Sequence, residues 1–477
     1  MQPRRLLLCA AAALAIAACG DQQEPTAVSP GTPEFATQSQ GANHLNVLLK
    51  TKPTPAMLSE LGQYGKSIEV IPEINGITMV GKVSALTAIR ALPYVAGANL
   101  DLGVTGSPVD AVAVPDFTGG LNTWDLDAIN VTARPLTTAR IPYTGEGVYV
   151  GVLDTGLLDT WRQYFPQERI ATQYAKSFGG GNGNGAIPEQ PNKWEHDVNA
   201  HGTHVTSTIL GFQFGVNPIN GTAPKVTVIP VKVLGQTGSG SNAAVARGIL
   251  YIASLKKGEL AGHPVIINMS LGGPGPDVLT EAAVNVAVEA GVIIVAAAGN
   301  TGPDGAMHYP GAYPKVISVA SAGWVGEWKA CGDTPLGADP SFWWVGCDVP
   351  DPNNPDNFYI SDFSGREKSG QDLDVAAPGS WVLGPYQLNS GKTSYFFLGG
   401  TSQASPHVAG IVALMVQKDP ALSAAQAEAI LEGTALPLPP GTRTITNPDG
   451  STSSISWGAD ATGAGLADAV AAILATP

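Results

Sequence analysis

The stretch "GVYVGVLDTG" (residues 147–156) decides the fold, because it is apolar at most positions and then ends in Asp, Thr and Gly. A strand that is apolar on both faces is typical of a parallel sheet buried between helices. Similar runs rich in Val and Ile recur along the chain, at 225–234, 263–273, 291–300 and 315–323. Helical stretches alternate with them, at 242–258 and 278–291. We therefore predict an α/β domain with a mainly parallel sheet and helices on both faces.

Polar residues stand where three of these apolar runs end. Asp154, Ser270 and Asn300 each close or directly follow a predicted strand. In open parallel sheets, functional groups gather at the carboxyl ends of the strands. The fold class therefore marks these three positions as candidates for a functional site.

The stretch "GGTSQASPHVAG" (399–410) begins with glycines that break the chain and continues as an apolar-rich helix. Ser402 would lie at the amino end of this helix, where backbone N–H groups and the helix dipole favour a developing oxyanion. His407 follows five positions later, about 140° around the helix axis. It is therefore interpreted as a packing residue, and a base for Ser402 must come from elsewhere.

The stretch "NAHGTHVTSTILG" (199–211) supplies a candidate base, His201. The alternative is a metal site built on His196, Asp197, His201 and His204, which are close in sequence. The metal alternative is disfavoured because the zinc-binding pattern His-Glu-x-x-His is absent. A carboxylate at a strand end could hold the imidazole of such a base in one tautomer.

Asp154 of "VLDTG", His201 of "HGTHV" and Ser402 of "GTSQASPHVAG" resemble, in that order, the subtilisin family of serine proteases. The resemblance runs from about Trp124 to the end of the chain and implies a subtilisin-like three-layer fold. It implies that Ser402 is the nucleophile, His201 the general base and then acid, and Asp154 the orienting carboxylate. Asn300 of "AAAGN" is implied as the oxyanion donor, together with the backbone N–H of Ser402.

The stretches "LGQTGSG" (234–240) and "SLGG" (270–273) resemble the family segments that pair with an extended protein or peptide substrate. The implied substrate-binding residues are Gly238, Ser239, Gly240, Ser270, Leu271, Gly272 and Gly273. His308 stands where relatives often have a small residue at the floor of the specificity pocket. This position argues against a preference for large apolar side chains.

The chemistry requires no cofactor, but the resemblance allows a structural cation. No acidic residue follows Asp154 at the place where many relatives ligate a strong calcium ion. A weaker Ca²⁺ or Na⁺ site is allowed by Asp374 with the backbone carbonyls of Gly311, Tyr313 and Val316.

The amino-terminal residues 1–18 predict a lipoprotein-type signal peptide, with two arginines before a short apolar run. The run ends in "IAAC", which resembles a bacterial lipobox and predicts lipidation of Cys19; an ordinary signal peptide is the alternative. Residues 19–42 are rich in Pro, Gln, Ser and Thr and predict a disordered tether. We therefore expect export from a bacterial cell, with the precursor anchored at the envelope by its lipid.

Residues 43–104 predict a β-α-β-β-α-β unit, a ferredoxin-like order. This domain is similar to the inhibitory propeptide of the same family, a folding assistant that is removed by self-cleavage. Residues 105–122 look like a loop and predict the linker that is cut, followed by the peptidase domain, 123–477. Because the lipid would stay on the propeptide, we expect the mature enzyme to be a periplasmic or extracellular monomer.

The remaining cysteines, Cys331 and Cys347, predict one disulfide in an exported chain. They lie in an insertion, 324–360, that is rich in tryptophan. A self-packed loop and a flap that contacts substrate are the two interpretations of this insertion.

The formal net charge of −14 and the sequence pI near 4.9 argue against nucleic acid as a partner. A sedolisin-type acid peptidase is an alternative function, although that type uses carboxylates where this chain has His201. An inactive module that keeps the fold and only binds is the alternative from another class. An α/β-hydrolase is disfavoured because the chain lacks the pattern G-x-S-x-G.

Overall fold

The computed structural model describes residues 43–113, 123–133, 138–139, 141–178, 193–214, 217–329, 349–387 and 394–477. The signal peptide, the tether with Cys19, and the pair Cys331 and Cys347 lie outside these residues. Lipidation and the disulfide therefore stay predictions.

Residues 43–100 form an antiparallel four-stranded sheet with the strand order β2-β3-β1-β4. The elements are β1 (Asn43–Leu49), α1 (Pro55–Leu61), β2 (Gly65–Ile71), β3 (Gly76–Gly81), α2 (Leu86–Arg90) and β4 (Val95–Leu100). Leu45, Ile77 and Ile89 lie in a separate hydrophobic core formed by residues of this unit. The order of elements along the chain is β-α-β-β-α-β.

Two short strands follow this unit, β5 (Val104–Thr105) and β6 (Asp110–Ala113). The sequence pattern of residues 105–122 predicts a loop, and the described part of it differs from that expectation. The reason is that both strands take their hydrogen-bond partners from the second domain. Pairing over such sequence distances leaves no local signal.

The second domain contains the remaining elements. Its helices are α3 (Trp124–Ala128), α4 (His201–Leu210), α5 (Asn242–Lys257), α6 (Val278–Glu289), α7 (Thr401–Lys418), α8 (Ala424–Thr434) and α9 (Ala469–Ala475). Its strands are β7 (Thr132–Ala133), β8 (Thr138–Ala139), β9 (Tyr149–Asp154), β10 (Lys176–Ser177), β11 (Gly211–Phe214), β12 (Asn217–Asn220), β13 (Thr227–Lys232), β14 (Ser239–Gly240), β15 (Val265–Met269), β16 (Val292–Ala297), β17 (Ile317–Trp324), β18 (Phe358–Ile360), β19 (Val375–Pro378), β20 (Val382–Tyr386), β21 (Ser394–Gly399), β22 (Gly441–Thr446) and β23 (Thr452–Trp457).

The central sheet has the strand order β10-β13-β9-β15-β16-β17-β18, and β19 also pairs with β17. All of these pairings are parallel except that of β17 with β18. The five apolar runs form β9, β13, β15, β16 and β17, so the predicted mainly parallel sheet is confirmed. Asp154 ends β9, while Ser270 and Asn300 follow β15 and β16 at the same edge of the sheet.

Helix α7 is buried along nearly its whole length, from Thr401 to Val416. A helix that is small or apolar on all sides belongs inside the core rather than on its surface. It packs against α4 and against β15, β16 and β17. This placement brings the amino end of α7 to the carboxyl edge of the sheet. None of the helices in the described residues combines the length and hydropathy needed to cross a membrane.

The described ends of the insertion 324–360 belong to the main body of the domain. Trp324 ends β17 and stacks on Trp124, with 6.5 Å between ring centroids. Trp328 packs edge-on against Trp381 and Phe397. The middle of the insertion lies outside the described residues, so a flap there stays a prediction.

Candidate active site

Asp154 and His201 form a buried pair at the edge of the sheet. The Nδ1 atom of His201 lies 2.8 Å and 3.0 Å from the two carboxylate oxygens of Asp154. Both residues are fully shielded from solvent. The other ring nitrogen, Nε2, is buried and has no hydrogen-bond partner among the described residues. It is therefore free to accept a proton.

The close packing of this pair explains the glycine in "HGTH". A Cβ atom at Gly202 would clash with the carbonyl oxygen of Gly156 and lie 3.2 Å from an Asp154 carboxylate oxygen. Only glycine lets the first turn of α4 approach the end of β9 this closely. Gly202 thus permits the approach of His201 to Asp154.

Ser402 lies at the start of α7 and is 3% exposed. Its hydroxyl donates to the carbonyl oxygen of Ser270 at 3.0 Å. In return, the Ser270 hydroxyl donates to the carbonyl oxygen of Ser402 at 2.7 Å. This carbonyl needs such a donor, because its helical partner would be the N–H that Pro406 lacks. The proline inside the helix therefore leaves the Ser402 carbonyl open to the hydroxyl of Ser270 at the strand end.

Asn300 lies beside the same helix terminus, where Thr401 orients its amide. The Asn300 Oδ1 atom accepts hydrogen bonds from the backbone N–H and the hydroxyl of Thr401, both at 2.9 Å. Because Oδ1 accepts both of these hydrogen bonds, the amide nitrogen Nδ2 lies on the side of Gly400. It is 3.6 Å from the position that a Cβ atom at Gly400 would take. Sequence analysis identified Asn300 but missed Thr401, although its place between glycine and serine was a signal.

The cleft next to these residues holds a segment of the same chain. Strand β5 pairs antiparallel with β14, while Thr105 pairs with Gly272 on the other side. The backbone N–H of Gly106 donates to Gly238 O at 2.8 Å, and that of Val109 donates to Gly399 O at 2.6 Å. The residues predicted to bind an extended substrate therefore hold residues 104–106 of their own chain.

Ser107 and Pro108 connect the two groups of contacts, between Gly106 and Val109. On one side, a Cβ atom at Gly106 would lie 3.3 Å from the His201 ring. On the other side, the Cα atom of Pro108 lies 3.7 Å from where a Cβ atom of Gly400 would be. The Ser107–Pro108 peptide bond therefore lies between the His201 ring and Gly400, which precedes the start of α7.

His308 lies between two backbone segments next to Asn300. A Cβ atom at Gly272 would be 2.7 Å from the Cβ of His308, and one at Gly299 would be 2.7 Å from its Cγ. The backbone N–H of His308 donates to Ala298 O at 2.8 Å, which fixes this placement. Burial lowers the pKa of the imidazole. A neutral ring therefore fills the space between the backbone at Gly272 and the backbone at Gly299.

His407 and the alternative metal ligands have other partners. His407 Nε2 lies 2.8 Å from the Asp125 carboxylate, and Nδ1 lies 2.8 Å from Gln403 O. His407 thus anchors α3 to α7, a more specific role than packing. Burial lowers the pKa of His204 to about 3, and its Nε2 lies 3.1 Å from Val382 O. Across the described residues, no group of three or more His, Cys, Asp and Glu gathers to hold a metal.

The predicted cation site contains a carboxylate that already has donors. Asp374 Oδ2 accepts hydrogen bonds from the Ser318 N–H at 2.6 Å and from its hydroxyl at 2.8 Å. Burial raises the pKa of Asp374 to about 7. The carbonyl oxygen of Tyr313 accepts from the Val316 N–H at 3.0 Å. The Ca²⁺ or Na⁺ site at Gly311, Tyr313, Val316 and Asp374 stays a prediction.

Comparison with known proteins identifies similar chains. The model of the subtilase family matches residues 145–460. M-protease of Shouchella clausii (strain KSM-K16) is 35% identical over 295 residues, which cover 62% of this chain and 60% of that protein. Extracellular serine proteinase of Thermus sp. (strain Rt41A) is 31% identical over 378 residues, or 78% of this chain and 74% of that one. The solved structure of Sphericase matches with a TM-score of 0.53 and 26% identity, covering 74% of this chain and 99% of that one.

Proposed function

The chain belongs to the subtilase family of serine endopeptidases, and we propose that it hydrolyses peptide bonds through Asp154, His201 and Ser402. The observation that carries this proposal is the buried Asp154–His201 hydrogen bond next to a serine at a helix amino terminus. Export from a bacterial cell is part of the proposal. It is supported by the name of the Thermus relative, an extracellular proteinase.

The reaction begins when the Ser402 hydroxyl turns from Ser270 O towards His201 Nε2. His201 takes the proton as Ser402 Oγ bonds to the substrate carbonyl carbon, and Asp154 stabilises the imidazolium. The oxyanion accepts hydrogen bonds from Asn300 Nδ2 and from the backbone N–H of Ser402. His201 then protonates the leaving nitrogen, the C–N bond breaks, and an acyl-enzyme remains. Water releases the acyl group by the same steps, with His201 first taking a proton from the water.

The protein is made as a zymogen in this proposal, with residues 43–104 as the inhibitory propeptide. Two amides of this unit, Asn46 Nδ2 and Asn99 Nδ2, donate to Asp277 at the start of α6, at 2.7 Å and 2.8 Å. Asp101 accepts from the Asn242 side chain at the start of α5, at 2.9 Å. These contacts dock the unit on the peptidase domain while residues 104–106 lie in the cleft. Self-cleavage after this segment would release the enzyme and leave a lipid on Cys19 with the propeptide.

The substrate class follows from His308. Because its ring fills the space between Gly272 and Gly299, a large side chain before the cleaved bond has no room beside Asn300. We expect cleavage after small residues such as glycine, alanine and serine. The residue at this position in the enzyme's own bound segment is Ser107.

Labelling with an organophosphonate probe tests the proposal. The activated wild-type protein is expected to react at neutral pH, and Ser402→Ala to lose the label. His263→Ala, which replaces an exposed histidine near Gly147 at the opposite end of β9, is the matched control and should keep the label. A correctly processed protein that stays unlabelled would indicate a binding module. Labelling only at acidic pH would favour the sedolisin type, because a protonated His201 cannot act as base.

A further inference from the structure

A buried ion pair lies behind the hydrogen-bonded Asp154 and His201. The Nζ atom of Lys232 lies 4.0 Å from a carboxylate oxygen of Asp197, and their side chains are 1% and 0% exposed. Burial lowers the pKa of Lys232 and raises that of Asp197, because each charged form loses its hydration. Two charges are rarely buried together unless each is paired and hydrogen-bonded. Hydrogen bonds to other groups must therefore help to stabilise the charges of Lys232 and Asp197.

Asp197 holds the two chain segments that carry the catalytic pair. One carboxylate oxygen accepts from the Thr155 hydroxyl at 2.7 Å and from the Ala200 N–H at 2.9 Å. Thr155 directly follows Asp154, and Ala200 directly precedes His201. Ala200 has a φ of 72°, a left-handed conformation that an alanine adopts only when its surroundings impose it.

Thr155 transmits this anchoring to the reacting groups. Its backbone N–H donates to Asp154 Oδ1 at 2.6 Å, which orients the carboxylate. Its hydroxyl accepts from the Gly202 N–H at 2.9 Å, in the first turn of α4. The hydroxyl thus receives one hydrogen bond from the helix of His201 and gives another to Asp197.

Lys232 completes the arrangement from the neighbouring strand. It is the Cα partner of Asp154 in the register between β13 and β9. Its ammonium group donates to the Thr155 carbonyl oxygen. The cation therefore interacts with both carboxylates, and Asp197 and Asp154 each oppose the lowering of its pKa by burial. Among the described residues, His204 on α4 and Tyr386 on β20 are further titratable groups near the pair, and burial raises the pKa of Tyr386 to about 12.

We propose that Asp197 and Lys232 are positioning residues that hold Asp154 and His201 together through Thr155 and set the pH at which His201 works. The inference rests on the proposed function and names a further part of the same site. The two charges act on the imidazolium with opposite sign. Removing Lys232 lets the imidazole protonate more readily, while removing Asp197 makes protonation harder.

The test compares Lys232→Met with Asp197→Asn in the full chain. The midpoint of the acid limb of kcat/KM on a peptide amide is expected to rise by at least about 0.5 pH unit in Lys232→Met. It is expected to fall by a similar amount in Asp197→Asn. The exposed ion pair of Lys225 and Glu146, 3.4 Å apart, supplies the matched controls Lys225→Met and Glu146→Gln, which should not move it. Midpoints that stay unchanged, or move in the same direction, would overturn the proposal.

The same titration can be followed without catalysis. In a Ser402→Ala background, the His201 ring protons report the midpoint by NMR, and the same opposite shifts are expected. A chain that fails to hydrolyse peptides but shows these shifts would refute the proposed function and leave the electrostatic pairing standing.

The two hydrogen bonds of the Thr155 hydroxyl, to Gly202 and to Asp197, have a separate test. This test also decides the proposal if Lys232→Met or Asp197→Asn does not fold. Thr155→Val keeps both charges but removes the link and is expected to lower kcat about tenfold or more, with KM unchanged. Thr155→Ser restores the hydroxyl and should restore kcat. Equal kcat values for the two variants would contradict the proposed role of Thr155.

Discussion

Ser402 and Ser270 exchange two hydrogen bonds, one from each hydroxyl to the other residue's backbone carbonyl, at 3.0 Å and 2.7 Å. The hydroxyl of Ser402, the proposed nucleophile, therefore points to Ser270 O and would have to turn to reach His201. The exchange joins the strand end at Ser270 to the start of α7. The Ser270 hydroxyl fixes the backbone carbonyl of Ser402, while one hydrogen bond to Ser270 O holds the Ser402 side chain.

Ser270→Ala should weaken the link between the strand end at Ser270 and the start of α7. The carbonyl of Ser402 would lose its donor, and Pro406 cannot replace it. A buried acceptor without a partner costs about 1–3 kcal/mol, so the free energy of unfolding should fall by that amount. Denaturant unfolding of the Ser402→Ala form, which cannot digest itself, measures it. Ser405→Ala removes a neighbouring hydroxyl, 2.8 Å from that of Ser270, but leaves both hydrogen bonds between Ser270 and Ser402 in place. A loss no larger in Ser270→Ala than in Ser405→Ala would contradict this assignment.

Asn300→Ala should lower kcat by roughly 10²–10³, the loss known for this donor in subtilisins, with little change in KM. Thr401→Val should cause a smaller loss, because Asn300 Oδ1 keeps its bond to the backbone N–H. Thr401→Ser keeps the hydroxyl and serves as the control. Steady-state kinetics on one peptide amide rank the three. If Thr401→Val equals Thr401→Ser, the hydroxyl has no orienting role.

His308→Gly should open the space between Gly272 and Gly299. Peptides with leucine or phenylalanine before the cleaved bond are expected to gain at least about tenfold in kcat/KM. Peptides with alanine there should change little. A peptide library profiled with both enzymes measures this, and His263→Gly, an exposed histidine, is the control. An unchanged profile would show that His308 does not limit the size of the side chain.

Pro108→Ala should create a new self-cleavage site. Pro108 has no N–H and a ring that restricts its backbone, so the Ser107–Pro108 bond is a poor substrate in the wild-type chain. With alanine in place of the proline, the bond that follows Ser107 becomes an ordinary peptide bond in the same register. Amino-terminal sequencing should then find a chain that begins at residue 108, while the wild type begins further along. Pro108→Ala combined with Ser402→Ala should stay uncut. Identical starting residues in wild type and variant would argue against this register.

Glu327 should make stability depend on pH. Burial raises its pKa to about 8 from an ordinary value of 4.5, and it accepts hydrogen bonds from Tyr359 and Ser380. Between these two values, the folded protein keeps a proton that the unfolded chain has released. The free energy of unfolding should therefore fall as pH rises, by up to about 1.4 kcal/mol per pH unit. Glu327→Gln should make the fall with pH less steep by the share that Glu327 contributes, while exposed Glu289→Gln should leave the slope unchanged. Parallel curves for wild type and Glu327→Gln would contradict the shift.

The sequence by itself determined the mainly parallel sheet and the residues at its edge. Strand period, turn residues and helix starts are local properties, so Asp154 and Asn300 could be placed from the order of apolar runs. His407 could be excluded as the base from helix geometry alone. The motifs then identified His201 and Ser402 by resemblance to a known family.

Only the tertiary structure decided what surrounds these residues. Lys232 and Asp197 meet because two strands and a loop converge behind Asp154, and no spacing in the sequence indicates that contact. Residues 104–106 become a strand only because the cleft offers backbone partners on both sides. His308 reaches Gly272 and Gly299 by the same kind of long-range packing. Such contacts form between segments that are distant in the chain. Local sequence preferences therefore do not reveal the free energy that these contacts contribute.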